Sequence, residues 1–503
     1  MRKKNLRYIT FISASIFLII VILLSILNQQ LFFEKTKLIN DWLIKYFGSV
    51  FSIVGFLTLI GCAIAYFSPL GEIRIGGENA KPRFSKVKSF YIALCTTIAA
   101  GIVFWGSVEP IYHLSSPPES MNIAPFSSEA IKFAMETMFL HWGFTPYAIY
   151  TLPTIIFAIA YYNMKAPFSV SSQFAPIFPI KNENQILPQV VDSVILFCIS
   201  AGMAATFSTA ALNMGGAVSS ITGLPNNVFM WIAVLGAAIV IFVISSASGL
   251  NKGIKLLSDA NTKIYFILLL IVLFFGPTAF SFNLGTEAFG GYISKFAEKN
   301  LFTGAAANDN WPQYWTTFYW ANWMSWAPVT ACFLGRIAYG HRVKDVIIYN
   351  LVWPALFGIV WMTLFSGAAI YYQTTGQIDL YGLLQNGQIA EIPYAIFKEM
   401  PLGKLLIPLF FLTTFISLVT AADSTTNSMA SLSSNGITLD NEEASLGMKI
   451  FWGAGLGIIS IVILQLAGID GIKMLSNLGG APATIFELLC FISLFFLLKK
   501  HKK

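Results

Sequence analysis

The segment Trp311-Pro-Gln-Tyr-Trp-Thr-Thr-Phe-Tyr-Trp-Ala-Asn-Trp-Met-Ser-Trp-Ala-Pro328 places five tryptophans within 16 residues, among small and hydroxyl side chains. Tryptophan and tyrosine collect at membrane–water interfaces, which accounts for Trp311 and Trp315. It does not account for Trp320, Trp323 and Trp326, which run well into the segment. At helical spacing Trp315, Tyr319, Asn322, Trp323 and Trp326 share one face. A spanning helix with an aromatic face and an amide within it is therefore expected over 312–335.

The rest of the chain supplies the solvent for such a helix. Its 503 residues are 56% hydrophobic and only 11% charged, with a mean hydropathy of +0.69. Soluble domains carry about 25% charged residues. A chain this apolar needs the lipid bilayer around it, and its long apolar runs specify helices. The expected fold class is an all-α membrane protein. The net charge of +7 is small for the length, and the basic residues sit in short loops, which excludes a nucleic-acid patch. Cys62, Cys95, Cys198, Cys332 and Cys490 lie singly in apolar segments, so neither a disulfide framework nor a zinc site is expected. MRKKNLR followed by about 20 apolar residues is too long for a signal peptide core of roughly 7–15. It reads as the first spanning helix.

Twelve spans are expected, at 8–27, 46–67, 88–107, 130–162, 189–218, 227–246, 257–280, 312–335, 346–372, 403–432, 448–468 and 481–498. Segments 285–299 and 388–400 look amphipathic and interfacial. An even number puts both termini on one side. Most Lys and Arg residues then share that side, including Arg7, Arg74, Arg83, Lys165, Lys181, Arg336, Arg342 and Lys344, which makes it cytoplasmic. Lys35, Lys132, Lys295, Lys299 and Lys473 fall in loops opposite. The whole chain, 1–503, reads as one transmembrane domain of the cytoplasmic (inner) membrane.

Ionisable residues within spans are functional candidates by default. Glu109, Glu136, Asp192, Lys263 and Asp423 qualify, although most lie near span ends, where snorkelling suffices. No HExxH, GxSxG or phosphate-cradling loop occurs, so an enzyme is not expected. A second aromatic cluster, His141-Trp-Gly-Phe-Thr-Pro-Tyr-Ala-Ile-Tyr150, sits mid-span. Aromatic faces attract cations, and a quaternary ammonium group, having no hydrogen to donate, needs ring faces. Two such clusters favour a carrier of a cationic or zwitterionic small molecule over ordinary aromatic packing.

WTTFYWANWMSWAP followed by FLGRIAYGHRVKDVI closely resembles the signature of the betaine/carnitine/choline transporters. HWGFTPYAIY and FWGSVEP resemble that family's fourth- and third-helix motifs. The resemblance runs from about Ser89 to Leu498. It implies a LeuT-like core of two inverted repeats of five helices, at 89–280 and 310–498, preceded by two helices within 1–88. It further implies alternating access around a midplane site, and a homotrimer. The family's aromatic box maps onto Trp142, Tyr147, Tyr150, Trp323 and Trp326, with Asn322 where a further tryptophan is usual and Tyr147 where tryptophan is usual. The implied cargo is a quaternary ammonium compound. Asn322 and Tyr147 leave open an amino-acid-like or sulfonate zwitterion, and a solute sensor without transport is the reading from another class.

The resemblance implies no cofactor beyond a coupling ion. Sodium-coupled members resemble one another in a third-helix glycine stretch and a Thr-Ser pair in the tenth helix. This chain reads Thr97-Ile98-Ala-Ala-Gly101 and Thr420-Ala421. Sodium-independent carnitine exchangers carry an arginine in the seventh helix, at a position aligned with Asn261. Lys263, two residues on, is rotated about 200° from it on a helix. Ile98, Thr420, Asn261 and Lys263 thus form the candidate coupling-ion site, with weak or absent sodium coupling favoured. The short tail Lys499-Lys-His-Lys-Lys503 lacks the long basic helix of osmosensing members, so stress gating is not expected.

Overall fold

The computed structural model describes residues 6–98, 101–247, 251–435 and 445–501. Among these, every regular element is a helix, apart from two isolated bridges, Leu6 with Ser434 and Arg74 with Arg342. Helices α1 (Tyr8–Leu27) and α2 (Gln29–Phe67) lead the chain. They are followed by α3 (Lys86–Ile98), α4 (Gly101–Ser115), α5 (Ser128–Trp142), α6 (Phe144–Ala158), α7 (Ile186–Thr222) and α8 (Val228–Ala247). Helix α9 (Asn251–Phe275) turns by 107° into α10 (Thr278–Ser294). Then come α11 (Phe296–Leu301), α12 (Trp311–Tyr314), α13 (Thr316–Ile337), α14 (Val343–Ile347), α15 (Trp353–Thr374), α16 (Leu380–Gln385), α17 (Ile392–Glu399), α18 (Gly403–Leu432) and α19 (Leu446–His501).

Seven helical stretches among the described residues are long and apolar enough to cross a membrane, or nine if each of two bent pairs counts as one. Helix α13 is not one of the seven, because Trp, Tyr, Thr and Asn dilute its hydropathy. It lies instead at the centre, packed against α6, α7, α19 and α2 and buried along nearly its whole length. The rim is the reverse. Only 28% of the apolar window of α1 is buried, and Ile12, Ile16, Phe17, Ile19, Ile20, Leu23 and Leu24 are exposed. Such a rim is stable only in lipid.

Two expectations about boundaries change. The span predicted over 257–280 stops at Phe275, because Gly276-Pro277 breaks it: proline offers no N–H to continue the ladder. The loop predicted between 468 and 481 is helical. Helix α19 runs through it with a single break at Gly468 (φ 50°, ψ −130°), a conformation glycine tolerates for want of a Cβ. Lys473 is therefore not a loop residue but a helical one turned inward.

Asp192 and Glu109 do not snorkel either. Both are wholly buried. Arg7 pairs with Asp192 at 2.5 Å and donates to the carbonyls of Leu432 (2.8 Å) and Glu183 (2.7 Å). Ser169 Oγ donates to the same carboxylate at 2.7 Å, and the Ser171 N–H at 3.3 Å. This network ties the chain's start to the beginning of α7 and the end of α18. Glu136, another predicted in-span acid, pairs with Lys299 at 2.6 Å and links α5 to α11. The five cysteines are free thiols.

Candidate functional site

The ring cluster forms where α5 gives way to α6, beside a proline within α4. Pro110 leaves the Gly106 carbonyl of α4 without its helical partner, and Ser366 Oγ of α15 donates to it instead, at 2.7 Å. Between α5 and α6 the chain bends at Gly143 (φ −100°, ψ −129°). A Cβ there would lie 2.4 Å from the Phe139 carbonyl oxygen, so only glycine fits. Pro146, lacking an N–H, cannot bond back to Trp142. The break thus presents Trp142 at the end of α5 and Tyr147 and Tyr150 on the first turns of α6.

Trp323 of α13 fills the space among these three rings. Its ring lies 5.6 Å from Trp142, 5.6 Å from Tyr147 and 5.2 Å from Tyr150, centroid to centroid, each near edge-to-face. Pairs of this geometry contribute about 0.5–1.5 kcal/mol each beyond area burial. All four side chains are buried. The Trp323 indole N–H and the Tyr147 hydroxyl have no hydrogen-bond partner. The four predicted rings are therefore together and in mutual contact, with Trp323 in their middle.

Asn322 and Trp326 do not join them. Relative to Trp323 they stand about 100° and 60° around the helix, enough to face other neighbours. Asn322, partly exposed, accepts from Ser476 Oγ of α19 through its Oδ1 at 3.1 Å. Trp326 lines a small cavity with Thr96, Ile199, Thr330 and Ser424. Close approach of α7 to Trp326 depends on Gly202, where a Cβ would meet the indole at 3.0 Å. The single face expected from spacing is thus divided between two surroundings.

One wall residue, Trp142, connects to something spacing did not single out. The carboxylate of Glu109 on α4 accepts four hydrogen bonds. His113 Nε2 lies 2.9 Å and His141 Nδ1 2.6 Å from Oε1; Trp142 Nε1 lies 3.0 Å from Oε2, which also accepts from the Tyr319 hydroxyl. His141 Nε2 meets Thr316 Oγ1 at 3.1 Å, and His113 Nδ1 has no partner. In this network each imidazole gives one N–H to the carboxylate. The donor atoms of Glu109, His113 and His141 lie within 4.8 Å of one another. Because the carboxylate is already saturated by N–H and O–H donors, the cluster is a hydrogen-bonded anion and not an open cation cage. A lysine of α19 approaches this network: Lys473 Nζ sits 3.7 Å from the centroid of Trp315, whose ring contacts His113 at 4.6 Å.

Thr316 also lines a cleft of about 460 Å³, together with Glu129, Lys132, Glu136, Lys295, Glu298, Lys299 and Trp311. Asp309 ties Ser120 to Trp311, next to the cleft-lining Met121 and Trp311. Burial pushes that carboxyl up, but hydrogen bonds from the Ser120 hydroxyl (2.7 Å), the Ser120 N–H (2.9 Å) and the Trp311 N–H (2.8 Å) outweigh it and hold it below the usual carboxylate range.

The candidate coupling-ion residues are less assembled. Thr420 Oγ1 donates to its own helix, at the carbonyls of Ile416 (2.8 Å) and Ser417 (3.1 Å). Asn261 Nδ2 donates to Ser417 Oγ at 2.8 Å, and the Asn261 Oδ1 is buried without a partner. Lys263 is exposed on the other side of α9. The Ile98 side chain lies outside the described residues, as do Ala99 and Ala100.

An all-helical bundle with a lipid-type rim defines a multi-pass membrane protein. The chain belongs to the betaine/carnitine/choline transporter family, whose model matches residues 8–503. It is 27% identical to the ectoine/hydroxyectoine transporter of Virgibacillus pantothenticus over 98% of this chain and 96% of that protein. Identity to the glycine betaine transporter OpuD of Bacillus subtilis is 28%, over 91% and 88% respectively. Identity to the betaine/ectoine transporter LcoP of Corynebacterium glutamicum is 30%, over 88% and 69%. Members of the family are transporters and not enzymes, and they act on small molecules across a lipid bilayer.

Proposed function

We propose that this chain is a secondary carrier of a quaternary ammonium or related zwitterionic solute, working by alternating access across the cytoplasmic membrane. The observation that carries the proposal is the four-ring cluster of Trp142, Tyr147, Tyr150 and Trp323. Ring faces are the chemistry a trimethylammonium group requires. Because Trp323 touches the other three rings, admitting the solute means separating α13 from the α5–α6 break. That movement is the elementary step of alternating access on this scaffold. It fits twelve spans with both termini cytoplasmic, inverted repeats at 89–280 and 310–498 behind two leading helices, and a trimer. Sodium is the ion that the family implies, but the oxygens of Thr420 and Asn261 support at most weak sodium coupling.

Asn322 favours a second cargo. It is partly exposed and precedes Trp323 in the chain, so a zwitterion whose N–H donors reach it gains an acceptor that a quaternary ammonium cannot use. Two relatives are named for ectoine, a cyclic amidine carboxylate that carries such donors. Uptake of labelled betaine, carnitine, choline and ectoine into proteoliposomes, with and without a sodium gradient, separates these readings. Tight binding with no flux of any of them identifies a sensor and ends the carrier proposal. Trp323→Ala is expected to abolish binding; unchanged affinity refutes the ring cluster as the site. Asn322→Trp is expected to raise trimethylammonium affinity if the native cargo carries donors.

A further inference from the structure

An ammonium already sits against aromatic rings in this structure, and it belongs to the protein. Helix α19 continues past its break at Gly468, and five residues on Lys473 reaches over the start of α13. Its Nζ lies 3.7 Å from the ring centroid of Trp315, 5.8 Å from Phe318 and 6.0 Å from Tyr112. Tyr112 and Trp315 touch each other at 5.1 Å. Trp315 and Phe318 are buried, whereas Tyr112 and Lys473 are partly exposed. Among the described residues neither a hydrogen bond nor an ion pair holds the ammonium. We propose that Lys473 is a tethered competitor that selects the cargo: a zwitterion takes its place on the three rings and gives its carboxylate to the displaced ammonium, whereas a simple cation has nothing to give. The inference rests on the carrier reading above and narrows its substrate class to solutes that carry an anionic group beside the cationic one.

The place of this lysine suits that role. Trp311 and Thr316, on either side of Trp315 in the chain, line the cleft of about 460 Å³, so the three rings stand beside an opening to solvent. Trp315 precedes Trp323 by eight residues, about 12 Å along a helix. Rings bridge that distance. Trp105 lies 6.3 Å from Trp315 and 6.4 Å from Tyr319, and Tyr319 lies 5.6 Å from Trp142, a wall of the ring cluster. A cationic group leaving the three rings for the cluster therefore meets aromatic surface along the way.

The exchange favours a zwitterion at both of its halves. A lysine ammonium carries three N–H donors, which ring faces satisfy poorly. A trimethylammonium group has no donor to leave unmet, so it uses the same faces at less cost. Once off the rings, the lysine turns its donors to the carboxylate of the solute, and a hydrogen bond between charged groups is roughly twice as strong as a neutral one. Choline supplies the first half alone. Its positive charge then faces a displaced ammonium of the same sign, which opposes its stay. Asp470, exposed one turn before Lys473, attracts betaine and choline alike through their cationic ends and so does not separate them.

The experiment uses the full-length protein in right-side-out vesicles, with labelled betaine, ectoine, choline and the methyl ester of betaine as probes. The ester keeps the trimethylammonium group and cancels the negative charge. Counterflow at subsaturating solute reads how well each probe is taken up. The wild type should take up betaine and ectoine about tenfold faster than choline or the ester, the size of one charge-assisted contact. In Lys473→Met, which keeps the stem and loses the charge, that preference should fall toward parity, with choline gaining as betaine loses. Lys473→Arg keeps a charge that also stacks on rings and should keep the preference. Equal wild-type rates for betaine and its ester overturn the inference and leave the carrier standing, and so does a Lys473→Met protein with the wild-type preference. Absence of counterflow with every probe ends the carrier reading, and this inference with it. If Lys473→Met does not fold, Lys473→Gln makes the same comparison, and an unchanged preference there refutes the role of the lysine.

Discussion

Two glutamates among the described residues lie wholly buried, and they are treated in opposite ways. Glu109, between α4, α5 and α13, accepts four hydrogen bonds and has a lysine within its surroundings. Glu487, on α19, has no hydrogen-bond partner at either carboxyl oxygen. One turn on, Cys490 donates its thiol to Gln173 Oε1 at 3.4 Å and leaves the carboxyl unassisted. An ionised carboxylate buried without partners is too costly to keep, so such a group is accommodated as the neutral acid. Burial alone therefore says little about function. What distinguishes Glu109 is that its partners include a wall of the ring cluster and a path to solvent.

The contrast can be broken by substitution. Glu109→Leu leaves two imidazole N–H groups, the Trp142 N–H and the Tyr319 hydroxyl unpaired, and should cost about 5 kcal/mol, since each orphaned buried donor costs roughly 1–3. Thermal unfolding of the detergent-purified protein measures it; a melting temperature near wild type would show the network to be incidental. Arg7→Ala tests a third buried acid in the same way. It strands the Asp192 carboxylate and should cost about 3–5 kcal/mol, whereas Arg7→Ala with Asp192→Asn should recover part of the loss. Failure of the second change to rescue would mean that Arg7 acts mainly through the Leu432 and Glu183 carbonyls. Trp323→Phe keeps a ring but shrinks it, and should lower stability by about 1–2 kcal/mol, with weaker solute binding by titration calorimetry. Glu487→Leu should have the smallest effect and the opposite sign, a gain of up to about 1 kcal/mol, because an unpartnered polar group gives way to a hydrocarbon. A clear loss there would mean that Glu487 has a role the static contacts miss.

Much of the ring cluster was legible beforehand, and the reason is local. Trp142, Tyr147, Tyr150 and Trp323 stand out because each pair of clusters is dense along one helix, and helix geometry projects nearby residues to shared surroundings. Asn322 and Trp326 mark the edge of that method: a face about 100° wide can meet two different neighbours. Glu109 was visible only as an acid near a span end. Its partners His141 and Tyr319 are 32 and 210 residues away, and no spacing rule reaches that far. The one local hint was His113, four residues on, at helical contact distance. Lys473 was misplaced because an apolar dip beginning at a glycine reads as a loop, while the chain bends there and continues as helix.

By itself the sequence determined the solvent, the helical class, the aromatic chemistry and the family, since these follow from composition and from contacts within a turn or two. Only the tertiary structure decided which rings touch, that Trp323 packs in the middle of the other three, and that hydrogen bonds of a buried glutamate reach both that cluster and, through His141, Thr316 at the cleft. Those depend on which helices pack together, and the energy of that packing is set by residues far apart in the chain.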